Sequence, residues 1–182
     1  SYTKKEQTVF AVVRYGNVLG SRGSVIPVFL KQMDQGYLTL TDDRMTRFVI
    51  TLEEGAEFVI RSIEKMIGGE IFVPRLPSLR ITDLAAAMAP DLPLKTIGIR
   101  PGEKLHETMI SEDDSRLTLS YGNHYVVLPP DLFDGAVKSG GPFELCEEGF
   151  SYNSLNNSRF LSQKEISALL KDLGFLSHRK SE

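Results

Sequence analysis

The chain has 182 residues, 41% of them hydrophobic and 25% charged, enough for one domain with a real core or a domain and part of another. A formal net charge of −3 argues against a general nucleic-acid surface, although local arginines can still hold a phosphate. A lone Cys146 excludes an internal disulfide and fits a reducing, cytoplasmic setting, and no apolar run reaches the length of a membrane span.

In chain order, Ser1 to Gln7 is polar and carries no signal-peptide pattern. Opening on Ser with a strand almost at once is what a piece of a longer protein would show. Residues 8–15 predict a buried strand, short, apolar and rich in β-branched valine. After a glycine-rich turn, Ser24 can cap a helix with Pro27 in its first turn, running to about Gln35 and stopped by Gly36. Leu38 to Thr41 and Phe48 to Ile50 are strand candidates around a charged turn. Thr51-Leu52-Glu53-Glu54 is a capping-box pattern, and Leu52, Ala56, Val59, Ile60, Ile63 and Ile67 recur at helical spacing up to Gly68-Gly69. Glu70 to Pro74 predicts a strand, and Thr82 to Ala89 an alanine-rich helix ending before Pro90. Leu94 to Ile99 reads as a strand, and Glu103 to Ile110 as a short helix entered through Pro101-Gly102. Residues 115–128 suggest two strands around Gly122-Asn123, and the Pro-, Gly-, Ser- and Asn-rich stretch 129–162 an ordered loop or extended tail. Ser162 caps a last helix to about Leu173, with Ile166, Leu169, Leu170 and Leu173 on one face, before a frayed end from Ser177 to Glu182.

Alternating strands and helices place the chain in the α/β class, where ligands sit beyond the carboxyl ends of the strands. The most informative stretch is Arg14 to Ser24, joining the first strand to the first helix through Gly16, Gly20 and Gly23. Glycines let the backbone approach a ligand, and the following helix start favours an anion. The spacing leaves three readings open: a dinucleotide fingerprint, a plain structural turn, or a sugar-nucleotide loop. Arg47 leads into an apolar strand and can clamp phosphate or pair with Asp42 or Asp43. Arg100 stands between a strand and a Pro-Gly turn and can do the same or pair with Glu103. Glu103 and His106, at i and i+3, read as a polar cluster rather than a di-iron half-site. No zinc spacing is present, His124 reads as a turn residue, and Glu112-Asp113-Asp114 as a solvated turn.

These segments carry a resemblance. Arg14 to Ser24, Arg44-Met45-Thr46-Arg47-Phe48, Gly69 to Pro74 and Arg100 to Glu107 resemble the UDP-N-acetylglucosamine 4,6-dehydratases, which are extended short-chain dehydrogenase/reductases. Tyr152-Asn153-Ser154, Asn156-Asn157 and Leu161-Ser162 resemble their C-terminal tail. The resemblance implies the last part of a Rossmann-type NAD(P)-binding fold plus a small C-terminal substrate domain. Residues 1–25 would end the Rossmann domain and 26–128 would form the substrate region, with a strand near 70–74 returning to the Rossmann sheet. Residues 129–182 would form the tail and last helix. The implied reaction takes hydride from sugar C4 to NADP, eliminates water across C5–C6 and returns hydride to C6, with C5 inversion in one branch, giving a 4-keto-6-deoxy UDP-sugar for bacterial polysaccharide or flagellin glycans.

By the same resemblance, Tyr15 and Val18 would lie at the NADP nicotinamide, and Asn17 would touch the sugar nucleotide. Arg22, Gly23, Ser24, Val25 and Ile26 would line the substrate loop. Arg47 and Arg100 would bind the diphosphate, and Glu103 would hold a ribose hydroxyl or orient Arg100. It implies UDP-N-acetylglucosamine as substrate, no nucleic-acid or metal partner, and a homo-oligomer for the full-length enzyme. The departure is that no Tyr here has Lys four residues later, so the family's Tyr-x-x-x-Lys pair is not within these residues. The chain is therefore expected to hold substrate and, alone, not to turn it over, with no catalytic residue assigned to it. A UDP-sugar epimerase of the same superfamily and a non-catalytic binding or complementation module are the alternatives.

Overall fold

A computed structural model of the protein describes residues 8–176; the ends beyond them, including the expected fray from Ser177, lie outside the described residues. The predicted strand 8–15 is regular only over β1 (Val12–Val13), and the chain pairs again at β2 (Asn17–Val18). α1 (Val25–Met33) follows, and Gly36, at φ 79°, turns the chain where other residues would be strained. β3 (Leu38–Leu40) and β4 (Thr46–Ile50) lead to α2 (Leu52–Lys65). In its capping box Thr51 Oγ1 accepts from the Glu54 N–H at 3.1 Å, and the Glu54 carboxylate accepts from the Thr51 N–H at 2.9 Å. β5 (Ile71–Pro74), β6 (Ser78–Arg80), α3 (Ile81–Met88) and β7 (Leu94–Thr96) complete the first half of the pattern.

Two segments differ from their sequence reading. Glu103 to Ile110 is not a helix: a loop runs into β8 (Thr108–Ile110). The backbone of this loop is satisfied by distant partners instead of its own turn. Leu105 C=O accepts from the Thr46 N–H, while Glu107 and Ser154 exchange bonds through the Glu107 N–H and the Ser154 Oγ and N–H. A 3-10 turn precedes β9 (Thr118–Ser120) and β10 (His124–Val127), so His124 is a buried strand residue rather than part of the turn. The second difference is α4 (Pro130–Ser139), a helix inside the expected loop. Pro130 suits its first turn, and Leu132, Phe133 and Ala136 supply an apolar face. β11 (Glu144–Leu145), β12 (Tyr152–Asn153) and α5 (Gln163–Asp172) follow, the last capped by Ser162 and Glu165.

The chain forms two compact units, each assembled from separated stretches. One takes the described residues up to Gly16 with Thr51–Leu76 and Thr108–Asn153. Its main sheet has the order β1-β5-β10-β9-β11, with β1 and β5 parallel and the other pairs antiparallel. The strand at 71–74 thus returns beside the first strand. The core gathers Phe72, Leu119, Val126 and Leu128 under Phe58 and Met66 near the end of α2 and the apolar face of α4. α2 buries its small residues, Gly55 and Ser62, while Leu52, Ile60, Ile63 and Ile67 stand exposed. The helical spacing of the apolar residues therefore marks the helix correctly without marking the face that packs in this unit. A short β8–β12 pair ends at Tyr152, whose hydroxyl accepts from the Leu76 N–H and donates to the Leu76 C=O. Burial pushes that phenol up to about 12.

The other unit takes Asn17–Ile50, Pro77–Glu107 and the described residues from Ser154 onward. β2 runs parallel to β4, β6 antiparallel to β4, and a single bridge joins Ser78 to Phe160. β3 and β7 form a second, parallel pair. Ile26 and Phe29 of α1, Leu38 and Leu40 of β3, Leu84 and Met88 of α3, and Ile166 and Leu170 of α5 close one apolar core. The i, i+4 spacing of Ile166 and Leu170 puts both on the buried stripe of α5, as the sequence predicts.

Candidate functional site

Within the second unit, the turn from β2 to α1 is built by its own backbone. Leu19 N–H donates to Ile50 C=O, Ser21 N–H to Val18 C=O, and Ser24 N–H to Ser21 C=O. Gly20 sits at φ 74°, and a Cβ there would run into the Phe175 ring, so both conformation and space demand glycine. This turn forms one wall of a cavity of about 300 Å³. Asn17, Val18, Gly23, Ser24, Val25 and Ile26 line it from the turn and the first residues of α1. Thr41 and Met45 line it from the turn between β3 and β4, Arg47 from β4, and Ile97, Arg100 and Glu103 from the segment after β7. Leu79 and Leu84 provide apolar floor. Of the residues singled out in the sequence, Arg22 is exposed and does not line the cavity, and Tyr15 belongs to the other unit with its ring exposed.

The two arginines differ. Arg47 does not pair with Asp42 or Asp43: Asp42 is held by the Arg44 guanidinium, which keeps its carboxyl well below the usual range. The Arg47 guanidinium instead donates to Thr46 C=O at 2.8 Å, Leu105 C=O at 2.9 Å and Lys104 C=O at 2.8 Å, with Glu107 at 3.6 Å. It is only 15% exposed and ties β4 to the 104–107 loop. Arg100 is exposed, and among the described residues none engages its guanidinium nitrogens; its N–H reaches Glu103 Oε2 at 3.3 Å, and its carbonyl accepts from the Glu103 N–H. Arg100 therefore offers all five of its donors to a ligand, whereas Arg47 offers field more than free donors.

Three further groups come from the geometry. Thr41 Oγ1 donates to Glu103 Oε1 at 3.1 Å, so Glu103 is braced from the turn after β3 as well as from its own loop. Ser24 occupies the N-cap of α1 and lines the cavity, yet its Oγ is buried without a hydrogen-bond partner among the described residues. Behind the cavity, buried Thr46 contacts His106 Nδ1 at 2.8 Å and Ser154 Oγ at 2.7 Å. Thr41 was visible only as the end of a strand, and nothing in its spacing points to Glu103. The arrangement can bind an anion. Its side chains provide apolar wall, one free guanidinium, an unpaired hydroxyl and a braced carboxylate.

Val18 lines the cavity of its unit, and Tyr15 stands exposed in the other. Val18 presents an apolar side chain to the cavity, and neither residue brings a cation or an amide cluster for a pyrophosphate. Among the described residues no group of three His, Cys, Asp or Glu side chains could hold a metal ion, and no helix is long and apolar enough to cross a membrane.

Fold and cavity together define a mixed α/β protein with a glycine turn opening on an arginine-bearing pocket. The chain belongs to the polysaccharide biosynthesis protein family, whose profile matches residues 1–129. It is 52% identical over 169 residues to the UDP-N-acetylglucosamine 4,6-dehydratase (inverting) of Campylobacter jejuni, covering 88% of this chain and 51% of that protein. It is 36% identical over 182 residues to the UDP-glucose 4-epimerase of Rickettsia bellii, covering 94% of this chain and 52% of that one. The X-ray structure of Pen from Bacillus thuringiensis superimposes with a TM-score of 0.81 at 29% identity, over 94% of this chain and 52% of that protein. The chain spans about half the length of the curated relatives it matches.

Proposed function

We propose that the chain is the substrate-binding portion of a UDP-N-acetylglucosamine 4,6-dehydratase that uses NADP. The product would be a 4-keto-6-deoxy UDP-sugar for polysaccharide biosynthesis. The observation that carries this reading is the meeting of Asn17, the glycine turn, Ser24, Arg47, Arg100 and Glu103 around one cavity, although they come from separate stretches of sequence. The 52% identity to the Campylobacter dehydratase, against 36% to the Rickettsia epimerase, favours dehydration over epimerisation.

In this reading the diphosphate lies against Arg100, with the positive field of Arg47 behind it. Ser24 Oγ completes its hydrogen bonding on the ligand. Glu103, braced by Thr41, takes a ribose hydroxyl or fixes the segment that carries Arg100. Val18 would border the nicotinamide, whose hydride chemistry NADP supplies when bound. α5 packs into the apolar core that also supplies the cavity's Leu79 and Leu84.

Calorimetry with UDP and with UDP-N-acetylglucosamine tests the proposal, and both are expected to bind at one site and compete. Absence of binding by either at millimolar concentration would overturn it. With NADP added, the chain alone is expected to give no multiple turnover. If a completed enzyme is assayed, product NMR separates the readings: a C6 methyl signals dehydration, and an oxygenated C6 with inverted C4 signals epimerisation.

A further inference from the structure

The first unit contains a second cavity, of about 430 Å³, which the reading above does not use. It lies against β5 and β10, between the end of α2 and the helix α4. Phe72, Val126, Leu128 and Leu132 make apolar walls. Both the volume and this mixture of apolar wall with a few polar groups suit a small organic ligand.

His124 is the polar group best placed to read such a ligand. Its residue is only 7% exposed, and its ring is held between Tyr121, stacked at 5.1 Å and 14°, and the edge of Phe58 at 6.1 Å. Nδ1 lies 2.7 Å from Asn123 Oδ1, which can only accept, so Nδ1 carries the proton. Nε2 has no hydrogen-bond partner among the described residues, and His124 lines the cavity. Burial, with Lys65 adding to it, holds the imidazole below its ordinary range, so the neutral ring presents Nε2 as an acceptor.

The charged and titratable groups lining the cavity are Lys65, Glu70, Asp131, His124 and Tyr121, whose phenol is pushed up by burial and stays neutral. The Glu70 carboxylate is consumed by the Ile67 and Gly68 N–H groups, and Asp131 is itself engaged. Lys65, the last residue of α2, is left as the cation at the rim. A second feature lies on the α4 wall of the cavity. Gly135 stands inside α4, where glycine weakens a helix, and a Cβ there would meet nothing within 4 Å.

We propose that this cavity binds a small planar aromatic acid bearing a ring N–H or O–H. The ring would lie among Phe72, Val126 and Leu128, its donor on His124 Nε2 and its carboxylate on Lys65.

The test uses 15N-labelled chain and three probes: indoleacetate, its N-methyl derivative and tryptamine. Indoleacetate is expected to shift the His124 ring nitrogens and the Gly135 amide. The N-methyl derivative, which lacks the donor, and tryptamine, which reverses the charge, are each expected to bind about tenfold or more weakly. His124→Phe keeps the stack and removes the acceptor, and is expected to weaken indoleacetate by about tenfold as well. Gly135→Leu fills the space with a better helix former and is expected to abolish the shifts. No shift at the cavity with millimolar indoleacetate, shifts confined to the exposed face of α2, or equal binding of the three probes would overturn the proposal. Should His124→Phe fail to fold, the probe series and Gly135→Leu still decide it. UDP binding in the other unit is expected to be the same in every variant.

Discussion

Arg47 and Arg100 carry the same charge into the same cavity, yet their substitution should read out differently. Arg100→Ala removes an exposed side chain and is expected to leave the thermal midpoint unchanged while weakening UDP by about 1.5–3 kcal/mol, roughly 10- to 150-fold. Arg47→Ala takes the donor from the Lys104 carbonyl and one of two donors from each of the Thr46 and Leu105 carbonyls, and is expected to cost about 1 kcal/mol or more of stability. Urea unfolding beside calorimetry separates the two. An Arg47→Ala protein with unchanged stability would show that the loop does not depend on it. At the same scale, His124 sets a pH dependence. Its folded form resists protonation, so the unfolded chain takes up the proton first as pH falls below the ordinary 6.5. The contribution is therefore complete above that value and is lost progressively below it. The urea midpoint of the parent is expected to drop more between pH 7.5 and 5.5 than that of His124→Phe.

At the scale of elements, three helices have Ser or Thr at the N-cap, and only two use the side chain. Thr51→Ala and Ser162→Ala each break a capping box and are expected to cost about 1 kcal/mol. Ser24→Ala removes an unbonded hydroxyl from α1 and is expected to stay within about 0.5 kcal/mol of the parent, while weakening UDP. A Ser24→Ala chain as destabilised as the other two, with UDP affinity intact, would make Ser24 an ordinary cap. All three caps were legible in the sequence as residue types at helix starts. That one of them withholds its oxygen was not, because the donor it lacks is decided by the packing of the turn. α4 shows the converse. Its composition, Pro-Pro followed by Gly135 and Gly140, reads as loop, and it is helical because Leu132, Phe133 and Ala136 find a core to cover. The expected helix from Glu103 failed for a related reason, since Arg47, Thr46 and Ser154 take the backbone groups that a helix would need.

At the scale of the molecule, each compact unit carries its own cavity, and each cavity is lined from that unit alone. Hydrogen exchange with UDP is expected to add protection in Asn17–Ile50 and Pro77–Glu107 and none in β9, β10 or α4, since a ligand stabilises the unit that binds it. Equal protection in both units would count against a site confined to the second. From sequence alone came the α/β class, the capped helices, the glycine turn and the arginines beside it, because these rest on local chemistry and short spacings. Tertiary structure alone decided that the units interleave, that Arg47 is spent on a loop while Arg100 is free, and that a histidine read as part of a turn lines a second cavity. Each of these depends on which distant backbone or side chain reaches a given group first, and no periodicity along the chain records that.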